Sequence, residues 1–196
     1  LGALVSPGPD FLIVLRNALG YSARAGIYTA AGIAAGLLVH MAYCIAGIGL
    51  VISQSIVLFN IIKWVGAGYL VYVGIGALRS KGAGLQDMAM NDAAPVKSGR
   101  QAFFNGVVTN VFNPKATLFF LALFTQMIGP GTPFADQAIL ATAFVLTAFL
   151  WFSLVAAVMG IPRIRAGYAR ASKWIDRVFG AFFIALGAKL MLTRLD

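Results

Sequence analysis

The 196-residue chain has no glutamate, one histidine and one cysteine, and only 11 % of its residues are charged. Each shortage excludes something. A soluble domain is about 25 % charged and about 45–50 % apolar. Here 60 % of residues are hydrophobic and mean hydropathy is +0.87, so the polar surface that water requires is missing. The lone Cys44 has no partner for an internal disulfide or a CxxC redox site. The sole histidine, His40, has no acid within a helical turn, which argues against an intramembrane hydrolase with an oriented base. Six scattered aspartates do not form the carboxylate or thiolate cluster of a metal site, and neither a metal nor a cofactor is expected. Soluble enzymes, disulfide scaffolds and disordered tails are excluded; an all-α integral membrane protein remains.

Fifteen Lys and Arg against six Asp give a net charge of +9. The cations sit singly or in short clusters between apolar runs, as membrane insertion requires; nucleic acid is not an expected partner. A bilayer core about 30 Å thick needs about 20 apolar residues of helix. Six stretches are read as spans, the first truncated: 1–19, 27–52, 56–78, 102–128, 134–160 and 174–192. The chain opens at Leu1 inside an apolar run, and further residues are expected before it.

Cations fix orientation. Arg16 and Arg24 fall in the first connection, Arg79, Lys81, Lys97 and Arg100 in the third, and Arg163, Arg165, Arg170, Lys173 and Arg177 in the fifth, while 53–55 and 129–133 carry none. The odd-numbered connections are therefore expected in the cytoplasm and both termini outside. The polar stretch 80–100 reads as a cytoplasmic linker between two three-helix halves, 1–79 and 101–196. Three is odd, so homologous halves insert in opposite senses, giving two inverted three-helix repeats of the kind many secondary transporters use.

Two spans are interrupted. Ser6-Pro7-Gly8-Pro9-Asp10 breaks the first and Asn110-Val111-Phe112-Asn113-Pro114-Lys115 the fourth, because proline removes a donor and clashes with the preceding turn. Broken backbone at membrane depth is tolerated where it lines a cavity, and a matched pair of breaks points to a transporter's midplane site. A charge follows each break. Lys115 lies about 20 Å beyond Arg100 along a helix, and Asp10 at a comparable depth counted from Arg24. An ionised residue at the bilayer centre costs about 2.5 kcal/mol or more. The functional reading is a zwitterion site: Asp10 for an ammonium, Lys115 and the half-helix N-termini for a carboxylate, with Asn110, Asn113 and Gly8 beside them. The bland reading is an ion pair locking the halves together.

Other polar residues carry weaker signals. His40, in the second span, is the candidate for proton coupling; the alternative is a hydrogen bond to a neighbouring carbonyl. Asn17 reads as a cap or loop residue. Gly32 and Gly36 form a small-xxx-small step that suits tight packing inside the protomer or, alternatively, a homodimer. Trp64 and Trp174 read as anchors at the bilayer interface. With one midplane charge pair and no further buried acid, a neutral amino acid fits better than lysine.

The runs SPGPDFLIVLRNAL and FNPKATLFF, the Arg24-Ala25-Gly26 step, GAGYLVYVGIGALRS and WIDRVFGAFFIALGAKLML resemble the LysE/RhtB superfamily of amino-acid exporters, in its homoserine/threonine efflux-like branch. The resemblance covers nearly the whole chain. It implies a six-helix exporter of the bacterial inner membrane, driven by the proton gradient, with its site near the two motifs. The family often has asparagine at the position of Asp10. Export of basic amino acids or of an inorganic cation on the same fold is the alternative.

Overall fold

The computed structural model describes residues 8–54, 56–80, 98–128 and 131–192. Most of the 80–100 linker, and Pro7 with the residues before it, lie outside the described residues. Those described form seven helices and no strand: α1 (Pro9–Gly20), α2 (Ala23–Gln54), α3 (Ile56–Arg79), α4 (Gly99–Val111), α5 (Pro114–Met127), α6 (Phe134–Val158) and α7 (Pro162–Leu192).

Helix starts follow local chemistry. Gly8 is extended (φ −155°, ψ 179°) and hands over to Pro9 at the first helical position, where proline's missing N–H costs nothing. Ser98 caps α4, its hydroxyl accepting the Gln101 N–H at 3.2 Å. The expected interruption of the fourth span is present: α4 ends at Val111, α5 begins at Pro114, and the two are bent by 58°. The fifth connection differs from expectation. The arginine-rich stretch read as a loop is helix, and α7 runs unbroken from Pro162 to Leu192. Pro162 starts it, and the Arg, Ala and Lys that follow are strong helix formers; their charge argued against a span, never against a helix.

Two described helices are long and apolar enough to cross a membrane, within Ala23–Ala46 and Phe134–Val158, and a third counts if the bent α4–α5 pair is one span. Many outward side chains are large and apolar: Leu146, Leu150 and Leu154 line one face of α6, and Tyr72 is 73 % exposed on α3. Such a surface suits lipid, not water. Trp64 and Trp174 are also exposed.

Inside, α2 packs against α1, α4, α5 and α6, while α3 pairs with α7. Glycines permit the closest crossings. A Cβ on Gly32 would run into the Phe103 carbonyl, and one on Gly106 into the Thr29 carbonyl, so α2 and α4 meet backbone to backbone. The Gly32–Gly36 step is thus used within the protomer. Asn17, expected at a cap or loop, is instead buried and donates to Thr29 Oγ1 at 2.8 Å, joining α1 to α2. The core is aromatic and aliphatic, with Phe11, Leu15, Phe124, Phe152 and Phe183 almost wholly enclosed.

Candidate functional site

The site forms where two helices begin side by side. Asp10 lies in the first turn of α1. The α4–α5 break supplies its counterpart: Phe112 closes α4 by donating its N–H to Val108 O at 3.1 Å, and Asn113 donates its N–H to Asn110 O at 3.0 Å. Asn113 then works at both ends of its amide. Its Oδ1 accepts the Lys115 N–H at 3.0 Å, capping α5, and its Nδ2 donates to Asp10 Oδ2 at 3.0 Å. Asn110 Nδ2 donates to the same oxygen at 3.0 Å. The carboxylate of α1 is therefore fixed by both sides of the distant break.

His40 stands behind this cluster. Its Nε2 is 2.9 Å from Asn110 O and its Nδ1 2.6 Å from the Tyr43 hydroxyl. A carbonyl only accepts, so Nε2 carries a proton; neutral His40 then accepts from Tyr43 at Nδ1. Gly36 makes room alongside, since a Cβ there would come within 2.9 Å of Asn110 Oδ1.

Two acceptors in this otherwise well-paired cluster have no partner. Asp10 Oδ1 and Asn110 Oδ1 are buried and make no hydrogen bond. Both residues line a cavity of about 30 Å³, together with Gly8, Asn113 and Lys115 on its polar side; Ile33, Leu37, Phe119, Phe120, Ala148 and Phe152 are among the residues of its apolar side. A water needs roughly 10–15 Å³ of such space, so the cavity has room for a water or two.

All five residues expected to bind substrate, Asp10, Lys115, Asn113, Asn110 and Gly8, thus border one cavity. Of the three prolines expected to break helices, Pro9 and Pro114 head α1 and α5; Pro7 is not described. Asp10 and Lys115 do not exchange a hydrogen bond at Asp10 Oδ1.

Two buried charged residues were not foreseen, Asp176 on α7 and Lys63 on α3. Asp176 on α7 is buried, 4 % exposed, and accepts the Ser80 hydroxyl at 2.6 Å. Lys115 is within electrostatic reach of both Asp176 and Asp10. The expectation of a single buried acid is corrected accordingly. A signal existed: Ser172, Asp176, Gly180, Phe183, Gly187 and Leu190 recur every three or four residues and form the buried face of α7. Asp176 fell within the stretch read as the sixth span, 174–192, but among Arg170, Lys173 and Arg177, the cations counted with the fifth connection.

The model of the LysE type translocators matches residues 1–194. The threonine efflux protein of Escherichia coli K12 is 33 % identical, over 98 % of this chain and 93 % of its own. The uncharacterized membrane protein YrhP of Bacillus subtilis is 30 % identical, over 97 % and 93 %, and the homoserine/homoserine lactone efflux protein of Salmonella typhimurium 29 %, over 97 % and 91 %. No solved structure matches. The chain belongs to the LysE type translocator family and is a translocator, not an enzyme.

Proposed function

We propose that the chain exports small neutral amino acids of the threonine and homoserine kind, binding them between the two helix starts. The pair of orphaned buried acceptors, Asp10 Oδ1 and Asn110 Oδ1, carries this reading. An ammonium brings three donors and no acceptor, the complement of unpaired oxygens, and pairing them removes the cost of leaving them bare. Lys115 and the positive starts of α1 and α5 suit the carboxylate. The apolar wall of Leu37, Phe120 and Phe152 suits a short side chain. The names of the similar efflux proteins, threonine and homoserine, agree with this chemistry. An inorganic cation fits poorly, because the described residues hold no group of three or more His, Cys, Asp or Glu.

The wider architecture belongs to the same proposal. The chain crosses the bacterial inner membrane six times as two inverted three-helix repeats, 1–79 and 101–196, joined by a cytoplasmic linker. In support, equivalent helices of the two halves pack on one another: α1 on α4, α2 on α6 and α3 on α7. Protons flow inward as substrate leaves, with His40 as the responsive group. Protonating Nδ1 would end its acceptance from Tyr43 and place a cation behind Asn110. A cavity of about 30 Å³ must widen to load and release substrate, in alternating access about the fixed site.

The test loads vesicles containing the protein with a labelled amino-acid mixture and imposes an inward proton gradient. Threonine and homoserine should leave faster than from protein-free vesicles, and lysine should not. Retention of both hydroxy amino acids, or preferential loss of lysine, would overturn the substrate assignment.

A further inference from the structure

Asp176 lies on a helix that contributes nothing to the cavity wall, yet its carboxylate is buried and engaged. Ser80, at the end of α3, donates to its Oδ2 at 2.6 Å. Phe119, one turn beyond Lys115 on α5, meets Phe183 of α7 with ring centroids 5.7 Å apart, so the two helices touch here, and Lys115 is within electrostatic reach of both Asp176 and Asp10. Lys115 borders the same cavity as Asp10 Oδ1, and that oxygen is nevertheless buried without a hydrogen bond. A lysine that borders the same cavity as an unpaired, buried carboxylate oxygen should bring its ammonium onto it, because an unmade bond to a charged group is expensive. Its not doing so needs a competing attraction, and the second buried carboxylate within reach supplies one.

We propose that Asp176 is a positioning residue for transport: steadied by Ser80, it draws the Lys115 ammonium off Asp10, so that Asp10 Oδ1 stays open for the substrate. This rests on the amino-acid reading of the cavity given above. Three charges then serve two roles. Asp10 presents its oxygen to the incoming ammonium, while Lys115, held by Asp176, still faces the incoming carboxylate. Without Asp176 the lysine would swing onto Asp10, and the chain's own ion pair would compete with the substrate for the same oxygen. The Asp176 carboxylate and the substrate carboxylate are therefore alternative partners of one ammonium. That links occupancy of the cavity to the contact between α5 and the α3–α7 pair.

The experiment is counterflow of labelled L-threonine into proteoliposomes containing the wild-type chain or the variants Asp176→Asn, Asp176→Glu, Ser80→Ala and Asp10→Asn. Asp176→Asn should raise KM about tenfold, as expected for loss of one charge-assisted interaction, with the maximal rate changed much less. Asp176→Glu should restore most of the affinity, and Ser80→Ala should raise KM in the same sense by a smaller factor. A KM for Asp176→Asn equal to wild type would overturn the proposal, as would a loss confined to maximal rate. If Asp176→Asn fails to insert, Ser80→Ala decides, and an unchanged KM there overturns the proposal. Asp10→Asn separates the two claims. Impaired Asp10→Asn beside unaltered Asp176→Asn defeats the positioning role alone, whereas normal transport by Asp10→Asn defeats the cavity reading itself.

Discussion

Asp10 is held by two amides from one turn of a distant helix break, and only one of its oxygens is used. That asymmetry is what a site poised for a cationic group should show, since a purely structural carboxylate would have both oxygens paired. His40 offers a residue-scale test of coupling. Substituting His40→Gln keeps a donor toward Asn110 O and removes the titratable ring. Threonine counterflow without a gradient should survive within about threefold, while acceleration by an imposed proton gradient should be lost; an unchanged response to the gradient would take His40 out of the scheme. Lys115→Ala removes the cation facing the carboxylate. The expected outcome is a fall in threonine transport of about tenfold or more with normal insertion, and normal transport would argue against its role.

At the scale of elements, the break between α4 and α5 matters most, because it turns one rod into two and puts a helix start beside Asp10. This was legible in the sequence from Asn113-Pro114-Lys115; the break read at 6–10 is described only from Gly8 on, where α1 starts. The glycine crossing between α2 and α4 is equally local in origin. Replacing Gly106→Leu should force the helices apart and cost about 1–3 kcal/mol. A lowered Tm in detergent would show it, and an unchanged Tm would mean the crossing tolerates bulk. The arginine-rich start of α7 was misread as loop because charge was used to place it relative to the membrane, and charge says little about helicity. Asp176, at the head of the stretch 174–192, was passed over among the neighbouring cations. Its pairing with Ser80 spans 96 positions, a contact that no local pattern encodes, although the period of the buried face on α7 already pointed inward.

For the whole molecule, composition alone identified a lipid-embedded chain, and the outward-facing leucines of α6 and the enclosed phenylalanines are arranged accordingly. What composition could not supply was how the helices meet, since that depends on which glycine faces fit which backbones. Orientation has a direct test. With Cys44→Ser as background, Thr132→Cys and Gly160→Cys should react with an impermeant thiol reagent from opposite sides of the membrane, Thr132→Cys from outside. Labelling of both from one side would contradict the inverted arrangement.

The central claim is that an ammonium-bearing substrate completes the unpaired oxygens of Asp10 and Asn110. The most direct measurement is the binding of L-threonine to purified wild-type and Asp10→Asn protein, with L-threoninol, which keeps the ammonium and lacks the carboxylate, as a second ligand. Asp10→Asn should weaken both ligands by about tenfold or more. Equal affinity of the two proteins for both ligands would contradict it.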